Sequence, residues 1–241
     1  MKLLDLTLAP AENLALDEAL LDQAEATDSH AEVLRLWEPA NPMVVLGRSS
    51  PLVQEVNVPF CETNQIEVFR RVSGGQAIVT GPGCLMYAVL LDYRKRPELR
   101  QLDKAHNFVM KKTLSAVQSL GVEATMEGTS DLTFQGRKFS GNSLRCKRSW
   151  MIYHGTLLCD FDIELIATCL GKPKREPEYR QSRTHAEFLI QLPVSVSAMK
   201  SALIATWNPN TDFAQTSSLL EKTKKLAADR YLSREWLEKV N

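Results

Sequence analysis

Apolar residues recur along this chain with two periods, and the changes between them mark out its elements. Leu16, Leu20 and Ala24 are spaced as on one face of a helix. Glu12-Asn13 precedes them, so a helix is expected there with Asn13 as its cap and acids near its positive end. Lys104 to Leu120 gives the clearest stripe (Ala105, Val109, Ala116, Leu120), stopped by Gly121; His106, among polar neighbours, is expected to be exposed. Further helices are expected from the Asp162 cap to Leu170, over Ser197–Trp207, and over Ser218–Tyr231 behind a Ser218/Glu221 capping box, with a last turn at Ser233–Leu237. Shorter runs read as strands: Glu32–Trp37, Met43–Leu46, the alternating Glu67-Val68-Phe69, Gly128–Phe134, Lys138–Leu144 and Trp150–Leu158. Cys84–Leu91 is nearly all apolar and is expected to be a buried strand. Alternation places Lys138, Ser140 and Asn142 on one face of their strand and Phe139 on the other. No repeat, low-complexity segment or clear linker interrupts the chain, so residues 1–241 are read as one domain.

Composition narrows the class. With 44% hydrophobic and 24% charged residues over 241 positions, the chain can bury a real core. Lys+Arg and Asp+Glu both total 29, so no global field points to nucleic acid or a membrane surface. No apolar run reaches membrane-span length, and Met1-Lys2-Leu3-Leu4-Asp5 does not open a secretory leader. Five cysteines, an odd number without Cys-x-x-Cys spacing, argue for the cytoplasm and against structural zinc.

Against that neutral background, Arg70-Arg71-Val72-Ser73-Gly74-Gly75 is the stretch with most chemistry. At least one guanidinium should sit at the strand end, and Ser73-Gly74-Gly75 removes side chains where the backbone turns. Such a turn presses successive N–H groups on an anion, and the arginine fork suits phosphate or carboxylate. The commoner alternative is a plain turn beside a solvated edge. Lys138, flanked by Ser140, Gly141 and Asn142, is either an edge lysine or a cation with space above it for a ligand. Gly47-Arg48-Ser49-Ser50-Pro51 is a small loop with one cation. Lys172–Arg183 reads as a mobile basic loop, of a kind that closes over ligands about as often as it does nothing.

Arg70-Arg71-x-Ser73-Gly74-Gly75, Asp131-Leu132, Gly136-Arg137-Lys138-Phe139-Ser140-Gly141-Asn142-Ser143 and His154-Gly155-Thr156-Leu157-Leu158 together resemble the lipoate–protein ligases of the biotin/lipoate ligase superfamily. Asn13–Glu18, Leu46-Gly47-Arg48 and Arg183-Thr184 fit the same pattern in the same order. The resemblance implies an α+β fold, a mostly antiparallel sheet flanked by helices, related to biotin ligases and class II aminoacyl-tRNA synthetases. It implies that lipoate and ATP form lipoyl-AMP and that a lipoyl-domain lysine then attacks. The carriers would be a 2-oxoacid dehydrogenase E2 or the glycine-cleavage H protein.

By the same resemblance Arg71 with Ser73, Gly74, Gly75, Gln76, Ala77, Ile78 and Val79 would hold ATP. Asp131 would bind the adenylate or Mg²⁺, and Lys138 would be the catalytic cation touching both substrates. Arg48, Gly75, Lys138, Gly141 and His154 would line the lipoate site, although the strand setting of His154 favours a structural ring. Many family members carry glycine where this chain has Gln76, His-Asp for Thr80-Gly81, and asparagine for Cys84 and Ser130. The larger ligases add a C-terminal accessory domain, so a separate chain is expected to supply that function or the protein dispenses with it. Two other readings stand beside this one: a thioester acyltransferase of octanoyl or lipoyl groups, for which Cys146 and then Cys169 are the candidate thiols, and a non-catalytic lipoyl-domain-binding module.

Overall fold

The computed structural model describes residues 1–27, 31–171 and 176–240. The chain opens with β1 (Lys2–Asp5) and α1 (Pro10–Ala26). It continues through β2 (Val33–Trp37), β3 (Met43–Leu46), α2 (Leu52–Glu55), α3 (Val58–Thr63), β4 (Glu67–Arg70), β5 (Ile78–Thr80) and β6 (Cys84–Asp92). Helix α4 (Leu102–Gln118) leads into β7 (Ala124–Glu127), β8 (Asp131–Phe134), β9 (Arg137–Cys146) and β10 (Trp150–Leu158). Then come α5 (Ile163–Cys169), α6 (His185–Phe188), α7 (Val196–Trp207), the edge strand β11 (Thr211–Asp212), α8 (Ser217–Leu226) and α9 (Arg234–Leu237).

Among the described residues one large sheet runs β11-β1-β2-β6-β10-β9-β8-β7, and β4-β3-β5 form a small second sheet. The large sheet is parallel only across β11, β1 and β2 and antiparallel from β2 onward. This is the α+β class the sequence predicts. The central strand β6 explains its own unbroken apolar run. Leu85, Tyr87, Val89 and Leu91 face α4 and α7, where Val109, Met110, Met199 and Leu203 cover them. Ala88 and Leu90 face the opposite layer, against Leu16 and Leu20 of α1 and Leu219 of α8. A strand covered on both sides has no polar alternation to show.

Several local expectations are corrected by the structure. Helix α1 starts at Pro10, whose missing N–H costs nothing at the first position. Asn13 therefore lies inside the first turn, not at the cap; its Oδ1 accepts from Leu8 N at 3.1 Å and its Nδ2 donates to Leu8 O at 2.7 Å. Helix α8 is capped by Thr216, not by a Ser218/Glu221 box; the reciprocal box closes instead on α6, between Thr184 and Glu187. His106 is half-buried, not exposed: α4 lies on the sheet, so His106 Nδ1 bonds Tyr153 Oη at 3.0 Å and burial lowers its pKa. In β9 a bulge sets Ser140 opposite Leu132 but Lys138 opposite Thr133, leaving Phe139 as the extra residue. Of the expected loop Lys172–Arg183, residues 172–175 lie outside the described residues. From Glu176 onward it makes defined contacts, including a 3₁₀ turn at Glu178–Arg180, with Arg180 and Arg183 over the Phe188 ring. No helix among the described residues is long and apolar enough to cross a membrane.

Candidate functional site

The two arginines at the end of β4 point to different tasks. Arg70 is wholly buried and donates to the carbonyls of Gly47 (2.9 Å), Ser50 (2.6 Å), Trp236 (3.0 Å) and Leu237 (2.5 Å), clamping a loop and the C-terminal turn to the small sheet. Arg71 turns to its own loop: Nε donates to Ser73 Oγ at 3.0 Å, Nη1 to Val45 O at 3.0 Å, and Nη2 to Gly74 O at 2.5 Å and Gln76 O at 3.0 Å. Burial brings its guanidinium pKa down to about 10, with Glu55 opposing the shift. Glu55 also accepts from Ala77 N at 2.7 Å. A Cβ on Gly47 would lie 1.7 Å from Gly75 O, so the two loops touch only because residue 47 is glycine, while Gly75 adopts φ +88° and a Cβ there would lie 2.8 Å from Arg71 Nη2.

Behind this turn runs a chain of hydrogen bonds into the core. Ser73 Oγ and His154 Nε2 are 2.6 Å apart, His154 Nδ1 and Asp17 Oδ2 3.0 Å, and Arg35 donates to Asp17 Oδ1 at 2.6 Å. Asp17 can only accept, so Nδ1 carries the ring proton and Ser73 donates to Nε2. Burial pushes the Asp17 carboxyl up, but Arg35 and His154 together outweigh it and hold its pKa below the ordinary value. The order serine–histidine–aspartate is that of an activated nucleophile. Yet Ser73 is 1% exposed, it is not among the described residues that line the cavity beside His154, and its oxygen already accepts from Arg71. The chain locks the turn.

Two cavities meet at Lys138. The larger, about 330 Å³, is lined by buried Leu14, Trp37, Val45 and Met86, by buried Arg71 and Asp131, and at its more exposed mouth by Gly75, Lys138, Asn142, Ser143 and His154. The smaller, about 110 Å³, lies between β5 (Ile78, Val79), β9 (Phe139, Ser140) and Phe188 of α6. Gln76, Ala77, Ile78, Lys138, Gly141 and Thr156 line both. Lys138 Nζ is 2.8 Å from Asp131 Oδ1, and Tyr179 donates to Asp131 Oδ2 at 2.7 Å. A Cβ on Gly141 would lie 3.1 Å from Lys138 Cε and Nζ, so glycine there lets the lysine lie along its strand. Tyr87 donates to Asn142 Oδ1 at 2.5 Å, and Asn142 Nδ2 donates to Ser130 O at 2.8 Å, fixing the opposite wall.

Of the residues expected at a site, Arg71, Gly75, Gln76, Ala77, Ile78, Val79, Asp131, Lys138, Gly141 and His154 thus come together around these cavities. Ser73 and Gly74 stand behind the turn and line neither. Arg48 faces a separate pocket. Lys138 and Asn142 share the mouth as alternation predicts, whereas Ser140 is buried and its Oγ accepts from Asn142 Nδ2 at 3.2 Å. Sequence reasoning assigned no role to Asp17, Trp37, Tyr179 or His185. Asp17 carried a signal, an acid among the apolar positions of a helix; Tyr179 carried none. Burial, then Arg180 and Lys138, lowers the His185 pKa to about 4. No thiol lines either cavity. Burial pushes Cys84, Cys159 and Cys169 up to about 12, while Cys146 is exposed at the end of β9. Among the described residues no cluster of three or more His, Cys, Asp or Glu is placed to hold a metal.

Known proteins share this chain's sequence pattern and fold. Lipoate–protein ligase 1 of Staphylococcus aureus is 26% identical over 238 residues, covering 94% of this chain and 69% of that protein. An octanoyltransferase, LipM, of Carboxydothermus hydrogenoformans is 27% identical over 258 residues, covering 94% of each. In fold, the chain superposes along its whole length on 96% of the bipartite lipoate protein ligase of Thermoplasma acidophilum, studied with its E2 lipoyl domain, with a TM-score of 0.85 at 19% identity. The family model described as the lipoyl protein ligase A/B catalytic domain matches residues 9–208, and the chain belongs to that family.

Proposed function

We propose that the protein is an ATP-dependent lipoate–protein ligase, whose single domain joins lipoate to AMP and passes the lipoyl group to a lysine of a lipoyl carrier domain. The observation that carries this reading is Lys138 in the wall shared by two cavities. The larger has buried apolar lining residues suited to an aliphatic chain and polar ones suited to its carboxylate. The smaller sits against the β5 edge, between Ile78, Val79 and Phe188, an apolar lining suited to part of a nucleotide base. Adenylation forms a bond between a carboxylate oxygen and the α-phosphorus and releases pyrophosphate. The two reacting groups repel, and one fixed ammonium between them offsets that repulsion and the charge that spreads in the transition state. Lysine acts there as a compact point charge, while the fixed Arg71 fork holds the turn around the mouth. In the second half-reaction the carrier amine attacks the acyl carbon and AMP leaves.

Mg²⁺ does not find a ready site. Both Asp131 oxygens are engaged, by Lys138 and Tyr179, so the ion would arrive with the nucleotide phosphates, and no step here depends on it. The likeness to a ligase that works with an E2 lipoyl domain supports such a carrier; the H protein is a second carrier of the same chemistry. An accessory chain is consistent with the longer relatives, and the free thiols suit the cytoplasm.

The octanoyltransferase relative favours a thioester route instead. That route needs a thiolate facing the acyl group, and the cavity offers none. Pyrophosphate release with ATP and lipoate, run beside octanoate and biotin, tests the ligase. Release is expected with lipoate, with a loss of about 10³-fold in Lys138→Ala, the scale of one well-placed electrostatic contact. Melting should change little, since the Lys138 side chain is 26% exposed and Tyr179 still donates to Asp131 in the variant. Acyl transfer from acyl-carrier protein that is lost in Cys146→Ser, without pyrophosphate release, would establish the transferase in its place.

A further inference from the structure

Arg48, Arg145, Arg230 and Lys239 converge with Glu18 and Trp236 on a pocket of about 240 Å³ that the ligase reading leaves without a use. Four cations there face one carboxylate. Glu18 is taken by Arg230 and by Tyr231, whose hydroxyl donates at 2.9 Å. Arg230 and Lys239 rest over the Trp236 ring, 5.2 and 4.6 Å from its centre. Among the described residues, neither Arg48 nor Arg145 has an acidic partner or a side-chain hydrogen bond.

We propose that this pocket docks the acidic face of the protein that presents the acceptor lysine. The identity of that protein as a lipoyl carrier rests on the ligase reading; the docking surface rests on position and charge. Val72, in the pocket wall, opens the turn whose far end, Gly75 and Gln76, lines the large cavity. Arg145 lies two residues beyond Ser143 on β9, which lines that cavity and donates to Gly74 O at 3.0 Å. Two strand residues span about 7 Å and return to the same face. A partner that seats a lysine beside Lys138 covers roughly 800 Å² per side, so the pocket falls within its footprint. Unpaired arginines around a half-buried tryptophan are the residue types that dominate such contacts, and the guanidinium fork takes carboxylates in two-point contact. A small anion bound here would be separated from Lys138 by the glycine turn and would not reach the reacting atoms.

The test is the Arg145→Glu/Lys239→Glu double variant of the full chain, measured in three arms with an E2 lipoyl domain as the probe. Pyrophosphate release without the carrier should match the unaltered protein. Transfer from preformed lipoyl-AMP to the carrier should lose at least about ten-fold in kcat/KM, mainly through KM, and its salt dependence should flatten. A carrier whose Asp and Glu residues around the lysine are changed to Lys should regain transfer with the variant. Equal transfer by variant and unaltered protein would overturn the proposal. So would a parallel loss in pyrophosphate release, which would make the pocket a nucleotide subsite. Calorimetric binding of the unmodified carrier, without ATP or lipoate, separates the two readings. If even the unaltered protein releases no pyrophosphate, the ligase reading fails, and the loss or retention of carrier binding in the variant still decides the docking surface.

Discussion

Adjacent arginines of identical chemistry do opposite work at the end of β4. Arg70 divides its donors between the buried carbonyls of Gly47 and Ser50 and the part-buried carbonyls of Trp236 and Leu237, and its own side chain is fully buried. Arg70→Ala would strand the buried Ser50 carbonyl and untie Gly47, Trp236 and Leu237 from the small sheet, and the expected cost is about 3–5 kcal/mol. For a chain of this size that is a fall of roughly 10 °C or more in melting temperature. Arg70→Lys should recover little of it, because one ammonium cannot span two loops. A melting curve of Arg70→Ala that overlays the unaltered protein's would refute the clamp. Which arginine takes which duty was not legible in the sequence. The acceptors of Arg70 lie 20 residues before it and more than 160 after it, and no local pattern reports them. Asp131, Lys138 and the Gly75–Val79 segment were legible because their chemistry is carried by short contiguous motifs. Tyr179 was not, since it acquires its role from a partner 48 residues away, and Asp17 showed only as an acid among apolar helix positions, its partners Arg35 and His154 lying on other elements.

At the scale of elements, the site depends on how closely the β3–α2 loop approaches the turn before β5. Gly47 is where backbone meets backbone, and a methyl group there would overlap Gly75 O at 1.7 Å. Gly47→Ala should therefore cost about 2–3 kcal/mol and displace the turn that Arg71 holds, raising the KM for ATP. Gly74→Ala is the control: nothing lies within 4 Å of its would-be Cβ, and its effect on melting should stay within about 0.5 kcal/mol. Equal melting of the two variants would show that the close approach does not matter. Elements whose pattern is dense were read well: β3 and β10 have the bounds the sequence predicts, and β6 extends one residue further. Caps and bulges were read less well. Several polar residues near each helix start compete to cap it, and the extra residue of β9 leaves no trace in the hydrophobic pattern.

Over the whole molecule, acid stability is governed by buried groups from different layers. Asp17 has a lowered pKa, so its contribution is present above about 3.8 and is lost as pH falls through its folded value. His185 behaves differently. Burial first, then Arg180 and Lys138, lowers it from 6.5 to about 4, so it stays neutral in the folded protein. Between pH 6.5 and 4 the unfolded chain binds a proton that the folded chain refuses, so stability falls as pH falls. One such proton is worth at most about 1.4 kcal/mol per pH unit, and partial exposure reduces it. Below pH 4 both states are protonated at His185, and Asp17 takes over as its ion pair with Arg35 is lost. Melting temperature measured every half pH unit should therefore decline from pH 6.5 towards 4 in the unaltered protein. His185→Gln, which keeps a polar side chain but cannot be charged, should flatten that interval and leave the steeper fall below pH 4 intact. A slope between pH 6.5 and 4 that survives His185→Gln would place the acid-sensitive group elsewhere and remove the electrostatic link between α6 and Lys138.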